Sequence, residues 1–328
     1  MIYLNNAVKT LYKPTAESLS PVPLERIRAL AARLLGVENP SNIFLTRGGD
    51  QAMKTALQAY VREGCHIVAV GPEREDTFEL LKELGAEVSR VETDAYLRPK
   101  YEETEKLIRP ETQAVICAHG CSATGNVTDL ERVCAIAKKH EIPVISDGRC
   151  TAGAIDVNLE ELGPDVYCFA GEGMLMGPVG VGGICVRNAK ARERIASAAA
   201  GENTEPEQKI LTAFAASLQF ILDKGIYGVT MLPHRLAKRF FESAKAMDSV
   251  SVWGDFGTKD RLPVVSVTAD GFLPEEICAH MEKKGIIIGV ERGMARFSFG
   301  YFNTRSEVKE AVLQLMDLLG IDDLYLLP

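Results

Sequence analysis

The sequence lacks several features that would assign it to a special class of protein. No apolar run approaches the roughly 18 residues that a membrane-spanning helix needs, and the opening "MIYLNNAVKT" has no basic region followed by an apolar stretch. The eight cysteines include no Cys-x-x-Cys pair, and internal repeats and low-complexity tracts are absent. These absences favour a globular, cytoplasmic protein with reduced cysteines and no membrane partner.

Basic residues are fewer than acidic residues in this sequence. The 328 residues include 45 Asp and Glu against 37 Lys and Arg, so the formal net charge is -8. A protein that binds nucleic acid or an anionic membrane needs a clustered positive surface. We therefore expect no nucleic-acid partner, although this composition still allows a local basic pocket.

Short apolar segments alternate with amphipathic ones between about residues 20 and 190. The segments "CHIVAVG", "QAVICAHG", "IPVISDG" and "DVYCFAG" each contain a continuous apolar run, and stretches with helical spacing separate them. This pattern predicts a mostly parallel sheet covered by helices. After about residue 205, a long helix-like stretch leads into a compact α+β unit. We expect an N-terminal arm over residues 1–15, a large α/β domain over 15–235, and a small α+β domain over 236–328.

Polar residues follow the predicted strands at their carboxyl ends, where parallel sheets bind ligands. The residues at these positions are Arg47, Gly48, Gly49, Asp50, Arg74, His119, Cys121, Ser122, Asp147, Arg149, Cys150 and Glu172.

Five segments resemble the class V aminotransferase and cysteine desulfurase family of pyridoxal-phosphate (PLP) enzymes. They are "IYLNNA", "FLTRGGDQAMKTAL", "HGCSATGNVTDLERVCAIAKKHEIPVISDGRCTAG", "DVYCFAGEGMLMGPVGVGGICVRN" and "RFSFGYFNTRSEV". The resemblance extends throughout the chain. It implies the type I fold, which has a large domain with a mostly parallel, seven-stranded-type sheet and a small C-terminal domain. It also implies PLP as the family cofactor and a dimer with active sites at the subunit interface.

The chain departs from this family at the lysine that holds PLP as a Schiff base. The family reads Ser-Gly-His-Lys where this chain reads Ala170, Gly171, Glu172 and Gly173. That lysine is both the covalent anchor and the proton carrier. We therefore predict no covalently bound PLP and no conventional PLP catalysis, which leaves non-covalent binding at most.

Other family pocket positions differ as well. The phosphate turn keeps the glycines at 48 and 49, but Asp50 replaces a threonine and would repel a phosphate. Cys150 replaces a glutamine and Ser122 an asparagine, and Arg74 falls near a ring-stacking histidine. Asp147 occupies the position that pairs with the pyridinium nitrogen, although we favour its interpretation as an aspartate that caps a strand-end turn.

The C-terminal half lacks the desulfurase nucleophile. In the family, a loop with a reactive cysteine precedes the "RFSxGYFNT" strand, whereas no cysteine follows Cys278 here. The segment "AAAGENTEPEQ", through which family members contact the neighbouring subunit's site, is shortened. Arg292 is a candidate for holding a substrate carboxylate.

Two interpretations of function follow. In the first, the protein is a catalytically silent relative that acts as a binding or regulatory subunit, as a homodimer or in a heterodimer with a lysine-bearing paralogue. The alternative is an active PLP-family desulfurase, lyase or aminotransferase. The same alternative includes a second kind of enzyme, a thiol-based sulfur-transfer enzyme. It would use Cys121 or Cys150 and act on an anionic substrate derived from an amino acid.

The altered pocket is also a candidate ligand site. An anionic small molecule suits arginine. The competing interpretation, which we favour, is a buried salt bridge of Arg47 or Arg149 with Glu172 or Asp50. The candidate residues are Arg47, Arg74, Arg149, Glu172 and Arg292.

Cys117, His119 and Cys121 alternate along one segment, a pattern compatible with zinc or iron. Because Cys117 falls inside an apolar strand, we interpret these residues as buried structural side chains and expect no metal.

Overall fold

The computed structural model describes residues 1–10, 20–200, 205–257 and 260–322. Residues 11–15 of the expected N-terminal arm and residues 201–204 of the shortened segment lie outside this description.

Strands make up three sheets in the described part of the chain. In chain order the strands are β1 (Ile2–Tyr3), β2 (Ile43–Thr46), β3 (His66–Val70), β4 (Glu87–Arg90), β5 (Thr112–Ala118), β6 (Val144–Asp147), β7 (Val166–Ala170), β8 (Gly182–Val186), β9 (Val250–Trp253), β10 (Val264–Ala269), β11 (Ile286–Ile287), β12 (Gly289–Glu291) and β13 (Met294–Ser298).

Helices separate most of these strands. They are α1 (Leu24–Leu34), α2 (Gly49–Tyr60), α3 (Glu75–Glu83), α4 (Tyr101–Leu107), α5 (Leu130–Lys139), α6 (Leu159–Leu162), α7 (Ala189–Ala199), α8 (Gln208–Lys224), α9 (Ile226–Lys245), α10 (Pro274–Lys283) and α11 (Arg305–Leu319). Local sequence explains their ends. For example, α11 begins with a capping box between Thr304 and Glu307 and ends at Gly320, which has a left-handed backbone.

The central sheet has seven strands in the order β2-β8-β7-β6-β5-β3-β4. Strand β8 runs antiparallel to both neighbours, and the other described strand pairs are parallel. Strands β3, β7 and β8 are buried along their whole length, because helices cover both faces of the sheet. The predicted mostly parallel α/β architecture is confirmed. Strands β5, β6 and β7 all end at one edge, where the polar residues singled out above begin.

The long helix-like stretch after residue 205 consists of two helices instead of one. Helix α8 ends at Gly225, whose φ of 73° takes the backbone out of helical geometry, and α9 continues at an angle of 86°. Among the described residues, no single helix has the length and apolar composition to span a membrane. Helices α8 and α9 meet that criterion only as a bent pair.

A four-stranded antiparallel sheet, β12-β13-β10-β9, forms the centre of the C-terminal part. Phe240 of α9 packs on Phe297 of this sheet with ring centroids 4.3 Å apart. The chain start joins the same part: β1 pairs with β11, and Leu4 is fully buried in the same core cluster. The expected boundary at residue 235 falls inside α9.

Candidate functional site

A cavity of about 770 Å³ opens at the carboxyl edge of the central sheet. Residues from the ends of β5, β6 and β7 form its floor, and the β12–β13 hairpin and the N-terminal arm form its other walls. The lining residues that carry the argument are Asp50, Arg74, Asp147, Arg149, Glu291 and Arg296.

Arg149 is the central charge of this cavity, and its side chain is only 6% exposed. Its Nε atom lies 3.0 Å from both carboxylate oxygens of Asp147, and one terminal nitrogen lies 2.7 Å from the same carboxylate. The other terminal nitrogen donates to Asp50 at 2.6 Å and to Asp76 at 3.3 Å. Burial opposes the charge, yet the Asp147 carboxylate raises the pKa of Arg149 above its ordinary value.

Small residues make room for the Arg149 stem. A Cβ atom at Gly49 would lie 2.9 Å from Cγ and Cδ of Arg149 and 2.9 Å from the Cβ of Ala170. The glycine at the start of α2 therefore lets the arginine lie flat against the helix.

Asp76 lies in the first turn of α3, where the helix dipole favours a carboxylate. Arg74 donates to it at 2.8 Å from the solvent side, and Arg149 contacts it from the cavity side. Partial burial acts to raise the pKa of Asp76, but these hydrogen bonds and charges outweigh burial and hold it at about 2.

Glu73 is a buried carboxyl group behind this network, with 1% exposure. Within the described chain, neither of its carboxyl oxygens has a hydrogen-bond partner. Burial, together with the Asp147 charge, raises the pKa of Glu73 well above its ordinary value. Its backbone oxygen accepts a hydrogen bond of 2.6 Å from Arg292.

A second ion pair forms the opposite wall. Arg296, whose side chain is 4% exposed, pairs with Glu291 and donates to Asn5 at 2.7 Å. Ser122 donates to the same Glu291 carboxylate at 2.6 Å. Burial lowers the pKa of Arg296, and in the described chain its Nε has no hydrogen-bond partner. The turn between β12 and β13 positions Glu291, because Arg292 and Gly293 both have positive φ, as two-residue hairpin turns require.

His119 lies behind the cavity. Its Nδ1 atom is 3.1 Å from the hydroxyl oxygen of Tyr167, which is 2.9 Å from the Thr151 hydroxyl. A Cβ atom at Gly148 would lie 2.0 Å from the Tyr167 ring, so only glycine leaves space for it there. Burial lowers the pKa of His119 to about 4, which keeps the ring neutral near pH 7.

The cysteines are placed as structural side chains. The Cys150 thiol donates to the Gly120 carbonyl at 3.2 Å, and burial raises its pKa. Burial also raises the pKa of Cys117, and Cys121 is 3% exposed. Among the described residues, no three His, Cys, Asp or Glu side chains are grouped as metal ligands.

The structure brings most, but not all, of the sequence-selected residues together. Arg47 lies outside the cavity and donates to the backbone oxygen of Glu205 at 2.9 Å. The structure thus does not bear out the expected convergence of Arg47, Arg74 and Arg149, since only Arg74 and Arg149 line the cavity. Arg149 pairs with Asp50, one of the partners that the salt-bridge interpretation named, whereas Arg74 pairs with Asp76 at an exposed position.

Three residues that the sequence analysis missed belong to the site: Asp76, Glu291 and Arg296. A local signal was available for two of them. Arg296 pairs in register with Gly289, so Glu291 is its diagonal neighbour on the same face of the hairpin, a position that favours opposite charges. Asp76 had no comparable signal, because its partner Arg149 is 73 residues away.

The residues present do not fit PLP. Gly173 has a φ of 71°, and a Cβ there would lie 3.5 Å from the backbone oxygens of Asn6 and Ala7, so the arm faces the position of the family's lysine. The Asp147 carboxylate is already bound by Arg149 through both oxygens, and Asp50 adds negative charge at the phosphate turn. Glu172 lines the same cavity beside Gly173.

A second cavity, of about 780 Å³, opens at the other end of the central strands. Its wall includes Val144, the first residue of β6, and Arg187, which follows β8. Parallel sheets bind ligands at their carboxyl edge, so the first cavity is the better candidate site.

Comparisons with known proteins agree with this architecture. A family model described as aminotransferase class-V matches residues 3–311. A probable cysteine desulfurase of Halalkalibacterium halodurans is 21% identical over 90% of this chain and 82% of its own length. Cysteine desulfurase CsdA of Escherichia coli is 24% identical over 89% of this chain and 82% of its own length.

The fold is shared with solved structures. The apo structure of a cysteine desulfurase from Thermococcus onnurineus NA1 superposes with a TM-score of 0.84 at 19% identity. The match covers 98% of this chain and 95% of that one. At this identity the likeness concerns the fold alone.

We expect the substitution His119→Gln to remove a pH dependence of stability. The pKa of His119 is about 4 in the folded protein, against an ordinary 6.5. Between these values the unfolded chain binds a proton that the folded chain does not, so stability falls as the pH drops from 6.5 to 4. This residue should account for a loss of about 3 kcal/mol.

Denaturant unfolding of both proteins across this pH range measures the effect, because their difference isolates His119 from other titrating groups. Ser197→Gln, at an exposed position without a titratable group, is the control and should keep the wild-type profile. Parallel profiles for wild type and His119→Gln would contradict the prediction.

Proposed function

Because the chain belongs to the aminotransferase class-V family, we propose that it is a catalytically silent member that acts as a dimeric binding or regulatory protein. One observation carries this proposal. Arg149 engages the Asp147 carboxylate while Gly173 stands at the position of the family's lysine. Schiff-base chemistry requires an amine at a defined point, and this chain offers a backbone turn there.

The alternative of an active enzyme has weaker support. A thiol-based sulfur transfer needs an accessible thiolate. Cys150 is half-buried at the cavity wall, its thiol donates to the Gly120 carbonyl, and burial raises its pKa. Cys121 is buried. Relatives named as cysteine desulfurases share the fold, but the groups expected for their chemistry are replaced at Gly173 and Glu172.

The cavity supports binding of a small carboxylate. Arg296 is buried at its wall, and one of its donors is unused in the described chain. Arg74 and Arg292 extend positive charge to the cavity rim. The Glu291 carboxylate forms an ion pair with Arg296. A ligand carboxylate would therefore compete with Glu291 for the same guanidinium.

Association is supported by exposed apolar side chains on α9. Tyr227, Met231 and Leu232 are 67%, 49% and 37% exposed. The spacing of four residues places Tyr227 and Met231 side by side on the helix surface. We propose that this surface joins a second copy of the chain or a lysine-bearing paralogue, in the cytoplasm.

Excess PLP should leave the purified protein without the visible absorbance of lysine-bound PLP. Borohydride reduction should leave no phosphopyridoxyl group on a cavity residue, because no lysine is among the described residues that line the cavity. Absorbance spectra and peptide mapping by mass spectrometry provide the measurement, with E. coli CsdA treated in parallel as a positive control. A stable adduct mapped to a residue of this cavity would overturn the proposal of silence.

The substitution Glu291→Gln should strengthen binding of propionate by about tenfold or more, since a charge-assisted hydrogen bond to Arg296 becomes available to the ligand. Isothermal titration calorimetry measures the affinity. Glu75→Gln, at the rim of the same cavity, is the control and should bind propionate as the wild type does. Equal affinities for wild type and Glu291→Gln would count against a carboxylate ligand.

The substitution Met231→Glu should weaken association, because it places a charge in the apolar surface of α9. Native mass spectrometry of wild type is expected to give a complex of two subunits and that of the variant mainly single chains. Leu273→Glu, which is 64% exposed on the C-terminal part, is the control and should leave the complex intact. A wild-type protein that runs as a monomer would refute the dimer.

A further inference from the structure

We propose that Arg149 is a built-in cation that occupies the position beside Asp147 at the cavity wall and positions the aspartates around it, so that the site is ordered without a bound ligand. This inference goes beyond the proposed function, because it does not depend on a carboxylate ligand or on a second subunit. It assigns Arg149 the role of a positioning residue.

The first argument is the match between donors and acceptors. A guanidinium has five N–H donors in a fixed fork. Nε and one terminal nitrogen of Arg149 bind Asp147, and that terminal nitrogen also donates to the Thr77 hydroxyl at 3.1 Å. The other terminal nitrogen binds Asp50 and Asp76. The acceptors thus surround the whole fork, as they would surround a bound planar cation.

The second argument is the origin of the acceptors. Asp50 lies in the first turn of α2, Asp76 lies in the first turn of α3, and Asp147 ends β6. Three elements that are distant in sequence therefore meet at one side chain. Without a cation these carboxylates would repel one another, and the buried Asp147 would have no ion-pair partner within this group.

The third argument is the shape of the surroundings. Gly49 leaves space for the Arg149 stem, since a Cβ at position 49 would lie 2.9 Å from two of its carbons. Removal of the side chain beyond Cβ therefore leaves a slot bordered by carboxylates. A small alkylguanidinium has the charge, plane and donors to refill that slot.

Arg149→Ala tests the inference by chemical rescue. We expect the variant to unfold about 5 to 10 °C below the wild type, because it leaves a buried carboxylate uncompensated. Millimolar methylguanidinium should restore much of this loss in a saturable manner. Tetramethylammonium, which has charge but no N–H donor, should not. The measurement is thermal unfolding followed by circular dichroism.

Arg74→Ala is the matched control. Arg74 also pairs with Asp76, but its side chain is 52% exposed, so this variant should lose little stability and gain nothing from methylguanidinium. Arg149→Lys keeps one charge without the planar fork and should unfold between wild type and Arg149→Ala.

Two results would overturn the inference: Arg149→Ala that unfolds with the wild type, or methylguanidinium that stabilises Arg149→Ala no more than Arg74→Ala. If Arg149→Ala does not accumulate as folded protein, its refolding yield is measured with and without methylguanidinium. A higher yield with methylguanidinium supports the inference, and an unchanged yield overturns it. Because no PLP or carboxylate enters the experiment, its failure is distinguishable from failure of the proposed function.

Discussion

The ion pair between Arg149 and Asp147 is the interaction on which the carboxyl edge of the central sheet depends. A buried carboxylate destabilises a fold unless a cation accompanies it. Arg149 provides that cation from two residues away and also reaches Asp50 and Asp76, which lie in the first turns of helices α2 and α3. Protein atoms thus supply the positive charge that a ligand would otherwise bring to this edge. The helix N-termini stay together for the same reason.

The opposite wall follows the same principle with the signs exchanged. Arg296 is the buried charge there, and Glu291 accompanies it from the hairpin of the C-terminal sheet. Each wall therefore carries its own counter-charge, and the cavity between them needs no ligand to be electrostatically stable. The two walls differ in how completely the donors of their buried arginine are satisfied. Arg149 has acceptors around its whole fork, whereas Arg296 keeps one buried nitrogen without a partner in the described chain.

Much of the fold was predictable because fully apolar strands between amphipathic helices have few other solutions. The difference from the family's Ser-Gly-His-Lys segment was equally visible, since it is read directly from residues 170–173. Ion pairs between residues that are far apart in the sequence could not be predicted. Arg47 follows a strand as Arg149 does, but sequence alone does not tell which arginine turns inward. The answer depends on Gly49 leaving space for Arg149. The break between α8 and α9 was missed because one glycine interrupts an otherwise continuous helical pattern.

The arm that pairs β1 with β11 also determines when the cavity is completed during synthesis. Asn5 and its partner Arg296 are 291 residues apart, a length that a ribosome takes tens of seconds to translate at about 5 to 20 residues per second. Leu4, fully buried in the finished molecule, has no core to enter during that time. The arm is therefore among the last elements to dock, and the wall at Arg296 closes after the central sheet has had time to form.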